Sequence, residues 1–360
     1  RYPHAELLRE RLYANACGYS RQDDADELAH DPAFRAAVWN RAGDAVAQER
    51  LGSQPGQSRL LDRLAMPENL ETLRSFVGEP VVRHRQVRNA RKVKSATLDI
   101  DPFPVTVHGK QEGAAHNGYY GRTVYTPIAA HVSAAGDMDD PRGVSGFLHA
   151  RLREGDAAPA EGGLGFMLEA HARASEFCEH ADIRSDAAFA IQEILDGLTD
   201  RKVRFVMRIS TNAALKRIAA EEAFRPVGRP PSGGYEWAID VGPYKAATWK
   251  HAQRLILVIV DRPAEDGRLK LFPDYFFLVT NWPKSQRDAY DLLEHYRKRG
   301  AFEDRYGELN QSLRARLSSP TFAENEATLL LSFLAYNLSE TLRRETELAT
   351  GGGWDLGRFQ

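Results

Sequence analysis

The sequence predicts an α/β protein, a mixed sheet flanked by helices, with a β-rich insertion and a helical N-terminal region. Three observations carry this. Residues 95–101 alternate as a strand does, with Leu98 and Ile100 on one face and Asp99 and Asp101 on the other. Strand-like runs at 119–133, 147–153, 181–185 and 203–209 are interleaved with helical patterns at 164–178 and 187–198. Two carboxylates, Asp101 and Asp186, each close a strand-like run, and a third, Glu303, follows on a late helical segment.

Composition sets the outer bounds. The chain has 360 residues, 42% hydrophobic and 27% charged, which excludes wholesale disorder. A net charge of −2 excludes a surface coated in positive charge but leaves room for a local basic stripe on a nucleic acid. Cys17 and Cys178 lack metal-ligand spacing and read as reduced thiols of a cytosolic protein. The apolar runs at 255–260 and 329–338 are too short to span a bilayer. The chain starts at Arg1 without a Met and stops abruptly at Gln360, so both ends are expected to be truncated.

Taken in order, residues 5–19 and 23–51 carry helical spacing, with Asp31-Pro32 as a helix start. A break at 52–56 precedes a short helix at 58–64. Two readings stay open here: an ordinary helical hairpin, or a helix-turn-helix presenting Gln57, Ser58 and Arg59. The helix at 68–90 runs into a basic stretch containing Arg83, Arg85, Arg88, Arg91, Lys92 and Lys94. A solvated helix face and a DNA-backbone track both explain it.

The strand at 95–101 ends at Pro102 and Pro104, which cannot donate to a sheet ladder. Two acids on one face of a strand end are costly unless a cation neutralises them, and spacing does not choose between Asp99 and Asp101. His108 and His116 read as loop histidines rather than metal ligands. Asp186, between a strand and a helix, serves as an N-cap or as a ligand. The insertion at 211–283 holds a proline-glycine loop at 226–234, where Arg229 reads as plain surface or as a minor-groove probe, and strands near 235–241, 254–260 and 270–280. A helix at 285–317 follows, bearing Lys298 and Arg305, and then an apolar helix at 321–344.

That penultimate helix carries Y-x-x-R-x-x-x-E: Tyr296, Arg299 and Glu303. Offsets of three and seven place them on one side. A phenol, a guanidinium and a carboxylate aimed at one point suit phosphate and a hard metal ion. With Asp101 and Asp186 they have the look of a two-metal phosphoryl-transfer site.

The chain resembles bacterial insertion-sequence transposases of the DDE class, domain group 1, in the branch with the Y-x-x-R-x-x-x-E-x6-K signature. The match runs through L-D-I-D at 98–101, H-G-K-Q-E-G at 108–113, N-G-Y-Y at 117–120 and R-S-D-A-A-F at 184–189. It continues through T-N-W at 280–282 and Y-R-K-R-G-A-F-E at 296–303 to the helix at 329–338. The departures are Asp186-Ala-Ala-Phe189 where the family has Asp-x-Gly-Phe, a longer link at 139–146, and Asn310 at the final lysine.

The resemblance implies a ribonuclease-H-like mixed sheet. Its catalytic core would occupy 91–210 and 284–348, with the β-rich insertion at 211–283, a DNA-binding region at 1–90 and a tail at 349–360. It makes Asp101, Asp186 and Glu303 both catalytic and metal-binding, with two Mg²⁺ ions for which Mn²⁺ substitutes. Tyr296, Arg299, Lys298, Arg305, Arg88, Arg91 and Lys92 would contact DNA. Trp282, ahead of Trp249, is its candidate for stacking on an unpaired base, with core packing as the other reading. The partners implied are the terminal inverted repeats and target DNA, bound by a homodimer, in a bacterial cytoplasm at the nucleoid. Two rivals remain: a nuclease of this fold that does not transpose, and an inactive remnant that only binds DNA.

Overall fold

The computed structural model describes residues 2–39, 50–87, 91–136, 143–222, 234–262, 272–309 and 317–354. Its centre is an eight-stranded mixed sheet in the order β6-β5-β1-β7-β8-β11-β10-β9. The strands are β1 (Val93–Pro102), β5 (Ile128–Ala134), β6 (Val144–Arg151), β7 (Cys178–Ser185) and β8 (Arg204–Ile209), then β9 (Tyr235–Tyr244), β10 (Gln253–Asp261) and β11 (Asp274–Thr280). A second sheet of three short strands, β2 (Val105–Thr106), β3 (Ala115–Asn117) and β4 (Arg122–Tyr125), grows from the end of β1.

The first five large strands bear out the ribonuclease-H-like expectation. β1, β5 and β6 form an antiparallel meander, and β7 and β8 add in parallel on the other side of β1. Parallel neighbours need a crossover, supplied by the helices Gly163–Ala174 and Gln192–Asp200. The three strands of the insertion do not form a sheet of their own. β11 pairs antiparallel with β8, with Met207 opposite Val279, so the insertion widens the main sheet.

Both faces of that sheet are covered. Leu98, Ile100, Ile183, Phe205 and Met207 meet Phe166, Met167, Ile194 and Leu195 from the crossover helices. On the other face, Leu292 and Leu293 of the helix Ala289–Arg297 close over Val206, Ile256 and Leu278. The terminal helix Phe322–Thr350 lies on Phe147 and Ala150 at the β6 end. Leu329 through Tyr336 are all buried, because the N-terminal helices close over that helix from outside. Asn337 fixes it to the edge strand: its side chain accepts from the Phe147 N–H and donates to the Phe147 and Val77 carbonyls, each at 2.8 Å.

Several expected helices are broken in two. The one at 68–90 is Pro67–Phe76 and Glu79–Val87. At Gly78 between them a Cβ would stand 2.7 Å from the Leu148 carbonyl oxygen, so the chain turns where it presses on β6. The one at 285–317 is Ala289–Arg297 and Gly300–Glu308. Its start is set by a capping box between Asp288 and Asp291. Its break comes where the Arg299 N–H closes on the Tyr296 carbonyl at 3.0 Å, a tighter three-residue bond. The helix expected at 187–198 is a short 3-10 turn, Ala187–Phe189, and the α-helix Gln192–Asp200.

Candidate active site

The parallel pairing of β1 with β7 sets Ile100 opposite Ser185, so the next residues, Asp101 and Asp186, leave adjacent strands side by side. Neighbouring strands lie about 4.8 Å apart. Two carboxylates from positions 85 residues apart thus meet at one end of the sheet. Asp101 accepts a charge-assisted hydrogen bond from Arg299 at 2.5 Å, and both side chains are largely but not fully covered. Asp186 accepts from the Ala188 N–H at 2.9 Å and so caps the 3-10 turn. Its two sequence roles are compatible, since a cap uses one oxygen.

Tyr296 packs beside this pair. Burial pushes its phenol above the ordinary range; the Arg299 and Arg208 charges oppose that and those of Asp186 and Asp101 add to it. Tyr120, from the tip between β3 and β4, is likewise raised by burial, then by Tyr119 and by the charges of Asp101 and Asp186. Both phenols thus feel the charge of the two carboxylates.

Beneath them lies a buried ionic layer. Arg184 donates to both oxygens of Asp99, at 2.8 and 2.7 Å, with each side chain 3% exposed. The same guanidinium also donates to the His295 carbonyl. The His295 ring meets Asp182 at 2.5 Å, and Thr97 donates to the other Asp182 oxygen at 3.3 Å. Burial pushes the Asp99 carboxyl up, and the two-pronged bond and charge of Arg184 pull it back. Asp99 is thus committed to an internal partner, whereas Asp101 stands at the open end of the strand. The layer joins β1 and β7 to the helix Ala289–Arg297, which leads into the turn bearing Arg299.

The third acid, Glu303, lies on the helix Gly300–Glu308, one turn beyond Arg299, and its side chain is outside the described residues. No group of three His, Cys, Asp or Glu side chains poised to hold a metal occurs among the described residues. What is present at the strand ends is an oxygen-only, negatively charged pair. That donor set fits a hard divalent cation.

The other expected contacts divide. Lys298 is exposed on the turn beside Arg299, and Arg91 and Lys92 are exposed at the start of β1. Arg88, Arg229 and Asn310 lie outside the described residues. Arg305 pairs with Glu308 at 3.0 Å. The basic run is not one track: Arg85 is buried and bonded to the Arg91 carbonyl at 2.6 Å. In the helix Gln54–Leu64, Gln57 is buried on the Leu7 carbonyl and Ser58 bonds Gln22, so only Arg59 of that trio faces solvent. Trp249 packs in the core against Tyr244. Trp282 stands between Arg287 and Arg204, with their guanidinium carbons 4.5 and 5.6 Å from its ring centre. Arg204 pairs in register with Asp182, four residues before Asp186 and so about 13 Å along the strand. Trp282 therefore sits near the opposite end of the sheet from the carboxylates. His108 and His116 are exposed.

The family model for the transposase DDE domain, group 1, matches residues 1–351. The chain belongs to this family. It is a DNA transposase, an enzyme of DNA cleavage and strand transfer, and divalent metal ions serve the chemistry of its class. No curated protein matches the transposase. Among solved structures, the cryo-EM synaptic complex of piggyBac transposase with hairpin DNA matches at 10% identity and a TM-score of 0.45, over 99% of this chain and 68% of that one. No helix among the described residues of the transposase is long and apolar enough to cross a membrane.

Sequence reading missed the ionic layer under the site. One signal was present: Asp182 and Arg184 alternate with Ala181 and Ile183 along the strand, and charges are seldom buried without partners.

Proposed function

We propose that Asp101, Asp186 and Glu303 are the metal-holding acids of a two-metal phosphoryl-transfer site that cuts DNA at the ends of an insertion sequence and joins them to a target. The observation that carries this is the side-by-side exit of Asp101 and Asp186 from adjacent parallel strands, with Arg299 closing on Asp101. Asp101, Asp186 and Glu303 would hold Mg²⁺, or Mn²⁺ in its place, which would polarise a water or 3′-hydroxyl and offset charge on the leaving oxygen. Asp101 and Asp186 supply anionic oxygen and fix its position. Arg299, already within reach of the carboxylates, neutralises a phosphate drawn to the same spot. Tyr296 orients that phosphate through its hydroxyl, and its raised pKa keeps it a donor. The exposed Lys298, on the turn beside Arg299, extends the positive approach to the backbone. Two transposon ends are handled by two copies of the chain, and we assign a homodimer to the DNA-bound state.

The test is cleavage of a labelled duplex carrying the gene's own flanking ends, in Mg²⁺, by wild type and Glu303→Ala. Metal-dependent cutting at the boundary, lost in Glu303→Ala while binding persists, supports the assignment. Specific binding without cutting in either metal overturns it in favour of an inactive DNA-binding remnant. Cutting without joining to a second duplex marks a nuclease.

A further inference from the structure

The tip between β3 and β4 has no part in the chemistry above, yet it presents the most exposed large aromatic side chain described. Tyr119 is 90% exposed. An isolated aromatic on a floppy loop would mean little, but this tip is clamped. The Asn117 side chain accepts from the Tyr119 N–H at 3.1 Å and donates to the Gly155 carbonyl at 2.9 Å. The Gly121 N–H closes on the Asn117 carbonyl at 2.8 Å, with Gly121 at φ 63°, a conformation glycine adopts at little cost. Tyr120 stands edge-on to Tyr119, with ring centres 5.0 Å apart.

The tip is also placed. β2 begins four residues after Asp101 and pairs with β4, so the three-stranded ribbon extends past the strand end that carries the acid. Tyr120, half-covered, lies close enough to feel the charges of both Asp101 and Asp186. Arg122, exposed two residues on, adds a cation to the same ribbon. A fixed aromatic ring, open to solvent, thus flanks a site that handles DNA. Rings in that setting stack on nucleobases without regard to sequence.

We infer that the Tyr119 ring stacks on the nucleobase next to the phosphodiester that is cut, with Tyr120 bracing it from behind. This rests on Asp101 and Asp186 being the cutting site. Tyr119 is then a positioning residue that holds the DNA end against the carboxylates, and Asn117 sets its angle.

The experiment uses the full chain and a duplex spanning the gene's element boundary, with 2-aminopurine as the first base outside the element. Stacking quenches that base, read in Ca²⁺ before cutting; cleavage is then read in Mg²⁺. Wild type and Tyr119→Phe should quench and cut alike. Tyr119→Ala should bind within about two-fold, lose the quench and cut about ten- to hundred-fold more slowly, the range that loss of one base stack implies. An unchanged thermal midpoint verifies its fold. Quenching and cutting at wild-type levels by Tyr119→Ala overturn the inference, as does a Tyr119→Phe variant as impaired as Tyr119→Ala. Slow cutting with quench retained also overturns it. Asp101→Asn separates the two proposals. If it still cuts, the site assignment fails; if it quenches without cutting while Tyr119→Ala behaves as wild type, only the stacking inference fails.

Discussion

Arg184 lies opposite Asp99 in the parallel ladder between β1 and β7 and holds both oxygens of its carboxylate. Both side chains are almost wholly out of water. Neither is then available to a ligand, and Asp101, two residues on, is left to face the open end.

Removing one partner of such a pair strands a buried charge. Arg184→Ala is expected to destabilise the fold by about 3–5 kcal/mol, against a much smaller loss for the double variant Asp99→Leu/Arg184→Met. Denaturant unfolding of wild type, Asp99→Leu, Arg184→Met and the double variant measures the coupling. An Arg184→Ala variant within about 1 kcal/mol of wild type would show that the pair does not hold the strands.

Arg74 and Glu326 make the corresponding clamp between the helix Pro67–Phe76 and the terminal helix, at 2.9 and 2.6 Å, with Glu326 1% exposed. Arg74 keeps a quarter of its side chain in water, so Arg74→Ala should fall near the lower end of ~3–5 kcal/mol. Glu326→Gln, which retains hydrogen bonding, should cost less. Equal losses from the two variants in urea melts would argue against the charge mattering.

Glu10 accepts from the Gly52 N–H at 3.0 Å, and burial raises its carboxyl to about 7 from an ordinary 4.5. The unfolded chain loses this proton first. Between about pH 4.5 and 7 the native state binds more protons, so stability falls as pH rises across that window and levels off above it. Glu10→Gln should flatten this part of the profile and melt higher relative to wild type at pH 8 than at pH 5. Parallel melting profiles for the two proteins would refute the shift.

A divalent cation between the two carboxylates proposed to hold it would add to the single charge that Arg299 brings to Asp101. Mg²⁺ at about a hundred times its dissociation constant should stabilise the native state by about 2.7 kcal/mol, raising the melting temperature by a few degrees, and EDTA should reverse this. Asp101→Asn should abolish the shift. A shift that survives in Asp101→Asn would place the metal elsewhere.

Legibility followed locality. The alternation of Leu98 and Ile100 with Asp99 and Asp101 marked β1, and the same period marked β8, because a strand's faces are written at every second residue. Asp101 and Asp186 stood out as candidates because each sits where an element stops. What escaped was set by distant partners. Nothing near Asp99 announces that its counter-ion is Arg184, and nothing near Tyr296 foretells the turn at Lys298 and Arg299 that splits the helix. The insertion's strands were visible, but their pairing with β8 depends on a register that no local pattern encodes.

The contact between Arg299 and Asp101 spans 198 residues of chain. At roughly 5–20 residues per second of synthesis, tens of seconds separate the emergence of the two groups from the ribosome. A nascent chain can pair β1 with β7 in that interval and yet display its two acids without the guanidinium that answers them. Products of premature termination share this state for good. The Arg299–Asp101 pair therefore cannot form until the turn after the helix Ala289–Arg297 has been made.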